Sequence, residues 1–364
     1  MSMINKKNKK NLIKFLLNIT LVFLLCTMTL SSCQVGETNA LVPSAGRVGE
    51  IMVVMDSTKW NSEIAVTLKK ILASPADGML KDEPSFKLKF VQPKDFTGFF
   101  KKHRNLLLVA TTDSKTVSGS PMQTVFGAEV FRKVNAGEDV FMYVKRNTFA
   151  KNQELIYVIS DSDKKLVENL IKSKDKIKNY FEQQEFRRLA ESFSMNKLST
   201  DIATKINKRF GINAIIPAGM EIVKEDSSKN MPFIWFGDIK NNAYQNIYIS
   251  SKPYINKEDL TEKSLVLWNN ELGKKYITMA GSYLAIETEM KPNFRTQTLN
   301  NEFVADLRGA WTLENHTKGG TFVCLTRLSP DKKRIISITA YVYAPSEDKI
   351  ELMRRLEAIL RTMI

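Results

Sequence analysis

With 364 residues, 43% of them hydrophobic and 26% charged, the chain is long enough for one large or two medium domains with real hydrophobic cores. Its three cysteines are too few for a disulfide framework, and its two histidines, His103 and His316, form no HExxH or paired metal-ligand pattern. The net charge of +15 admits anionic partners, while an export signal at the start argues against nucleic acid.

Residues 1–32 read as a signal peptide. Lys6, Lys7, Lys9, Lys10 and Lys14 precede an uncharged run from Phe15 to Leu30 that ends in small residues instead of a charged stop. The run falls short of the about 20 apolar residues that span a bilayer comfortably. Leu30-Ser31-Ser32-Cys33 resembles the lipobox of bacterial lipoproteins. That resemblance implies a diacylglyceryl thioether on Cys33, cleavage after Ser32 and acylation of the new amino terminus. Each buried methylene contributes roughly 0.8 kcal/mol, so several acyl chains hold firmly where one is marginal. Cleavage leaves 332 residues, and the loss of five lysines takes the charge from +15 to +10. Gln34-Val35-Gly36-Glu37 lacks the aspartate directly after the cysteine that commonly retains lipoproteins in an inner membrane, which favours the outer membrane. Residues 33–46, with Gly36, Asn39, Pro43, Ser44 and Gly46, show no periodic pattern and read as a lipidated tether.

A first domain is expected over residues 47–210. Gly49 to Asp56 is a short apolar strand, and Ser57 or Thr58 caps a helix carrying Ile64, Leu68 and Leu72 before Pro75 and Gly78. Phe86–Val91, Asn105–Ala110, Asp139–Lys145 and Leu155–Ser160 follow as strands, the second half preceded by a polar stretch around Pro121. From Asp163 to Phe210 there is neither glycine nor proline, and spaced apolar residues predict one long helix or a broken pair. Leu198, Ile202, Ile206 and Phe210 recur every fourth residue up to Gly211, a helix terminator. This region carries 12 Lys/Arg against 7 Asp/Glu; the excess suits a membrane surface or a partner, while the apolar stripe suits packing over a sheet.

A second domain is expected over residues 211–364. Ile212–Ile216, Pro232–Phe236 and Asn246–Ser250 read as strands, then a helix from about Lys257 to Leu272. Tyr283–Glu287, Glu302–Leu307, Thr321–Arg327 and Arg334–Tyr343 are further strands, and a terminal helix runs from Glu347 to about Leu360. The order indicates an α/β or α+β fold: two mixed or antiparallel sheet layers covered by helices. Strand, acidic cap, lysine and helix recur at Leu155–Leu166 and Ala340–Ile350, so duplicated ferredoxin-like units are one arrangement that fits and independent caps are another.

Arg47-Val48-Gly49-Glu50-Ile51-Met52-Val53-Val54, Glu83-Pro84-Ser85-Phe86 with Arg104-Asn105-Leu106, Asp306-Leu307-Arg308-Gly309-Ala310-Trp311 through Gly319-Gly320, and Tyr343-Ala344-Pro345 together resemble an uncharacterised lipoprotein family of Bacteroidota with a domain of unknown function. The resemblance covers nearly all of the mature chain. It implies an envelope lipoprotein and supplies no activity, ligand or catalytic residue. Acidic residues after the lipidated cysteine accompany surface export in these bacteria; with only Glu37 available, a periplasm-facing attachment is expected.

Motifs for chemistry are few. No GxSxG elbow, phosphate loop or dinucleotide glycine pattern occurs, and no cofactor or metal is expected. Cys324, in an apolar strand-like context, reads as a buried structural thiol. A recognition surface is the favoured site. Asp306 and Arg308 share strand parity, Trp311 is close in sequence, and His316, Gly319 and Gly320 belong to a polar turn. Tryptophan stacks on sugars or anchors peptides, arginine forks onto carboxylates, and glycine permits close backbone approach. The competing account is a hairpin with an internal Trp and an internally paired Arg. Glu287 and Asp306 are weak catalytic candidates, with Glu289 sharing the parity of Glu287. The expected function is a lipid-anchored envelope binding or assembly factor with a protein or glycan partner; the alternatives are an envelope glycan or peptide hydrolase and a structural outer-membrane lipoprotein.

Overall fold

In the computed structural model the described residues are 41–80, 82–113, 125–138, 140–240, 243–279 and 281–364, with the side chains of residues 239 and 240 set aside. The signal segment, Cys33, Glu37, Pro121 and Asp139 lie outside them. Contacts group Pro43–Ile364 into one unit, and both sheets belong to it.

Three apolar runs dictate the first sheet. β1 (Glu50–Val54) has four of its five residues buried, β3 (Asn105–Thr111) and β5 (Glu154–Ser160) all seven each. Strands buried on both faces belong to parallel sheets covered by helices on either side. β1 is flanked in parallel by β2 (Lys87–Val91) and β3, β3 pairs in parallel with β5, and β4 (Met142–Arg146) closes the edge antiparallel to β5. The resulting order is β2-β1-β3-β5-β4. Its first crossover is α1 (Glu63–Leu72), whose cap is Ser62: the Ser62 Oγ accepts from the Ile64 N–H at 3.2 Å. Ser57 starts only a four-residue helix, Ser57–Trp60.

Helices cover both faces. Ile64, Leu68 and Leu72 of α1 join Leu166 and Leu170 of α3 (Asp163–Lys172) and Ile177 and Phe181 of α4 (Lys174–Ser194) over Ile51, Val53, Leu107, Val109, Ile156 and Val158. On the opposite face Phe131 and Val134 of α2 (Ala128–Asn135) pack on Leu106, Leu108, Leu155 and Tyr157. The glycine-free stretch is thus three helices, the third being α5 (Thr200–Phe210), which ends at Gly211 in a left-handed conformation at φ 71°.

The second sheet has nine strands, antiparallel at every pairing. Its main path is β6 (Glu221–Asp226), β7 (Phe233–Lys240), β8 (Ala243–Pro253), β14 (Arg334–Tyr343), β13 (Gly319–Leu328), β12 (Glu302–Leu313), β10 (Ser282–Ile286) and β9 (Thr278–Met279); β11 (Asn293–Leu299) also pairs with β12. One face packs on α5 and α7 (Ile350–Arg361) through Ile202, Ile206, Leu356 and Ile359. The other packs on α6 (Glu262–Tyr276) through Leu265, Trp268 and Leu272. Cys324 is buried here, its Sγ 3.2 Å from Ser337 Oγ, in the structural position expected of it.

The fold is therefore α+β with one mixed and one antiparallel sheet, as the element order indicates. The ferredoxin-like duplication is not realised: a largely parallel five-strand order and a nine-strand antiparallel sheet share no common unit. The repeated acidic caps reflect the local needs of two helix starts. Ile212–Ile216 is not a strand; its Ile212 and Ile216 fill the core beside α5 from irregular backbone.

Candidate functional site

Asp306 and Arg308 lie side by side on β12, as their parity requires, and face α7. The Arg308 guanidinium donates to Asp306 Oδ1 and Oδ2 at 2.7 and 2.9 Å and to Glu357 Oε1 and Oε2 at 2.8 and 2.9 Å. Arg295 and Gln297 on β11 donate to Asp306 at 3.0 and 2.6 Å, and Arg361 donates to Glu357 at 2.6 and 3.0 Å. Burial works against the charge on Arg308, but Glu357 and Asp306 outweigh it and hold the guanidinium well above its ordinary pKa. Burial likewise pushes Glu357 up, and Arg308 and Arg361 overcome it, leaving the carboxyl well below its usual range.

This network is a joint between the two sheets. Gly78, at φ 78°, lies against Arg308: a Cβ there would come within 2.8 Å of Arg308 Cβ and of the Gly309 nitrogen. Thr321 Oγ1 donates to the Gly78 carbonyl at 2.5 Å. Glu83, just before β2, caps α7 from outside, accepting from the Lys349 and Ile350 N–H groups at 2.7 Å each. The cavity beside the network holds about 50 Å³, room for a water or two, well below the about 300 Å³ at which small-molecule pockets begin. Burial pushes the Glu182 carboxyl on its wall upward.

The other sequence candidates do not join this cluster. Trp311 has the opposite parity and lies on the α6 face, buried, donating from Nε1 to the Val342 carbonyl at 3.1 Å. Gly320 sits against it, where a Cβ would meet Val342 O at 2.0 Å and Trp311 Nε1 at 2.7 Å; a Cβ on Gly319 would come within 3.0 Å of the Trp311 carbonyl oxygen. His316 is in the β12–β13 turn at φ 57°, exposed, with Nδ1 4.0 Å from Glu287 Oε2. Glu287 follows the end of β10, and its carboxylate accepts from the Glu289 N–H at 2.9 Å. Asp306 is spent on Arg295, Gln297 and Arg308, so Glu287 and Asp306 do not form an open carboxylate pair. Arg308, Trp311 and Gly319 thus enclose no recognition pocket; the hairpin with internal partners is what the sequence builds.

Two further places have the form of sites. In open α/β sheets ligands bind where strand order reverses, here outside the carboxyl ends of β1 and β3. That crevice is bridged internally: Lys59 pairs with Asp163 and lies 3.8 Å from Asp113, while Thr111 Oγ1 donates to Asp163 Oδ1 at 3.3 Å. Among the described residues, no group of three or more His, Cys, Asp or Glu is placed to hold a metal ion.

The second place is a basic groove of about 550 Å³ lined by Lys205, Lys208, Arg209, Ser227, Ser228, Lys229, Pro232 and Arg334. Lys205, Lys208 and Arg209 share one face of α5 by helical spacing. The β6–β7 turn supplies the opposite wall, folded by the Ser228 N–H donating to Asp226 Oδ1 at 2.8 Å. Arg209 is fixed by Phe233 O, Glu225 and Ser227 Oγ at 2.8, 2.8 and 2.9 Å; Arg334 by Asn230 O and Ser251 O at 2.7 and 2.9 Å. Lys205 pairs with Glu225 at 2.8 Å, and hydrogen bonds from Lys205 and Arg209 keep that carboxyl below its ordinary pKa. Lys208 and Lys229 are exposed and have no ion-pair partner among the described residues. Glu225 offsets one charge behind the wall, and no carboxylate lines the groove itself. Two fixed guanidinium groups, the two ammonium groups of Lys208 and Lys229 and the Ser227 hydroxyl suit a carboxylate, sulfate or phosphate group; the Ser228 hydroxyl is spent on the Met231 carbonyl. The excess of lysine and arginine between Asp163 and Phe210 signals one wall; the Ser227–Lys229 turn gives no motif by which to find the other.

Compared with known families, residues 44–194 match the family model of a domain of unknown function (DUF8532), and residues 199–362 match that of another domain of unknown function (DUF4837). Both matches are to uncharacterised domain families. A comparison with curated proteins finds no match.

Proposed function

We propose that the chain is a lipid-anchored cell-envelope binding or assembly factor, attached through Cys33 to the periplasmic side of the outer membrane, and that the basic groove is its contact site for an anionic partner. The lipobox supports the anchor, and the Bacteroidota lipoprotein resemblance points to the same compartment. The observation that carries the binding role is the groove: about 550 Å³, walled by Lys205, Lys208, Arg209, Lys229 and Arg334 with no lining carboxylate. Its volume lies within the range of ligand sites, and its fixed arginines are already desolvated in part and oriented. An acidic glycan or an acidic segment of an envelope protein has the complementary charge.

The test uses natively lipidated protein and an immobilised carboxylated polysaccharide, with neutral dextran as control, at physiological salt. Retention is expected on the acidic matrix only, reduced at least tenfold in K208E/K229E. Equal retention of the parent and K208E/K229E rejects the groove. No retention of the parent on any acidic glycan or acidic peptide matrix rejects the binding role in favour of a structural lipoprotein.

A further inference from the structure

The described fold begins at a defined place. Ser44 donates its N–H to the Lys151 carbonyl at 3.0 Å, Ala45 donates to the Lys102 carbonyl at 2.9 Å, and the Arg104 N–H returns to the Ala45 carbonyl at 2.7 Å. The chain therefore enters at the amino-terminal ends of β3 and β5, against the segment that leads into β3. That segment reads Lys94-Asp95-Phe96-Thr97-Gly98-Phe99-Phe100-Lys101-Lys102-His103-Arg104, with Asp95 as its one acid. Phe96 is buried, and Phe99 and Phe100 are not: their exposures are 68% and 36%. Their rings meet edge to face at 5.9 Å on the four-residue helix Gly98–Lys101. Lys102 is exposed, and Lys101 Nζ lies 5.6 Å from the Phe149 ring centre. Gln153 locks the far side of this knob, donating to the Lys101 and His103 carbonyls at 2.6 and 2.8 Å.

An exposed aromatic pair flanked by lysines is the composition of a membrane-interface anchor: rings enter the headgroup boundary and ammonium groups stay with anionic headgroups. Scattered exposed apolar residues such as Val66, Ile171 or Leu267 lack this clustering. Position supplies the second argument. Nine residues lie between Cys33 and Pro43, and the ten residue steps from one to the other reach at most about 35 Å when fully extended. That reach is the most by which a lipid on Cys33 could stand off from the point where the chain enters the fold. We infer that the Phe99–Phe100 knob, with Lys101 and Lys102, seats on an anionic phospholipid surface and fixes how the body stands on its anchor. The inference rests on the lipid-anchor reading of Cys33 and adds the face that touches the membrane.

The experiment places an indole at the knob. Natively processed F99W is reconstituted through its own lipid into phosphatidylcholine vesicles with or without phosphatidylglycerol, using acyl chains brominated near the headgroup. The emission of the parent's tryptophans is subtracted, and I255W serves as a control because Ile255, after β8, is 81% exposed. The expected result is that brominated lipid removes at least half of the emission added by F99W when phosphatidylglycerol is present, little of that added by I255W, and less from F99W/K101E/K102E. Unquenched F99W on a lipidated, vesicle-bound chain overturns the docking face and leaves the anchor standing. Quenching that is equal without phosphatidylglycerol overturns the assignment to an anionic surface. A chain whose mass shows Cys33 unmodified and which stays off vesicles overturns the anchor, and the docking face with it.

Discussion

Arg308 on β12 and Glu357 on α7 meet across 49 residues of sequence in a two-pronged ion pair with N···O distances of 2.8 and 2.9 Å. Asp306 closes the other side of the same guanidinium, and Gly78 covers it from the loop before β2. One side chain therefore holds a strand, a helix and the loop of the other sheet in register. Removing one partner of a buried pair leaves the other charge without compensation. R308M is expected to destabilise the chain by about 3–5 kcal/mol. Urea unfolding of R308M, E357Q and R308M/E357Q checks this, with the double variant losing less than the sum of the singles. A loss below about 1 kcal/mol, the level of an exposed pair, would reject the joint.

How much of this was legible? The alternation of β12 is written in its residues: Asp306 and Arg308 share a face, and Trp311, at odd spacing from both, belongs to the other. Proximity in sequence alone puts all three on one surface, and strand parity divides them. The partner Glu357 was not legible, because nothing local states which helix will lie over which strand. Strong apolar runs such as Arg334–Tyr343 are strands with the bounds their sequence indicates. β6 and β11 escaped, since Glu221–Asp226 and Asn293–Leu299 are largely exposed and polar and derive their extended form from a neighbour's ladder. Several residues that carry the family resemblance, Gly49, Glu83, Ser85 and Arg308, turn out to be joint residues: Arg354, for example, donates to the Ser85 carbonyl at 2.5 Å and fills the space beside Gly49.

Acid should loosen the fold in two steps. His103 is buried, with Nε2 unbonded and 3.8 Å from Glu50, and burial lowers its pKa from 6.5. The unfolded chain then takes up this proton first, so the contribution is complete above about pH 6.5 and is lost as pH falls towards the folded value. Glu357 has its pKa lowered from 4.5 by Arg308 and Arg361 against the effect of burial, so its contribution is present above about pH 4.5 and is lost below. Urea midpoints measured from pH 8 to 3 should fall in both windows. H103Q is expected to flatten the upper one and E357Q the lower; an unchanged slope in either variant removes that group from the account.

Gly320 is required for room. A methyl group there would lie 2.0 Å from the Val342 carbonyl and 2.7 Å from Trp311 Nε1, both in the sheet interior. Backbone cannot yield as a side-chain end can, so G320A is expected to cost about 1–3 kcal/mol or more through overpacking. W311A is expected to cost about 3–5 kcal/mol by cavity formation. Thermal melting checks both, and a G320A variant that melts with the parent would place the strand pair further apart than the structure has it.

The groove separates cations that hold the fold from cations left for a partner. Arg209 donates to the Phe233 carbonyl and to Glu225, and so joins α5 to the β6–β7 pair; Lys208, one residue earlier, touches neither. R209M is therefore expected to lower both stability and retention on an acidic matrix, whereas K208E leaves the melting temperature within about 2 °C and lowers retention alone. Most charge-dependent contacts weaken with salt, with a screening length of about 8 Å near physiological ionic strength. Raising salt should thus erase the difference between K208E and the parent in retention while leaving part of the R209M stability defect, because the Arg209 bond to the Phe233 carbonyl is partly buried whereas its pair with Glu225 is exposed and screened. Retention insensitive to both K208E and salt would assign the groove's charge to solubility and leave the body without an anionic contact there.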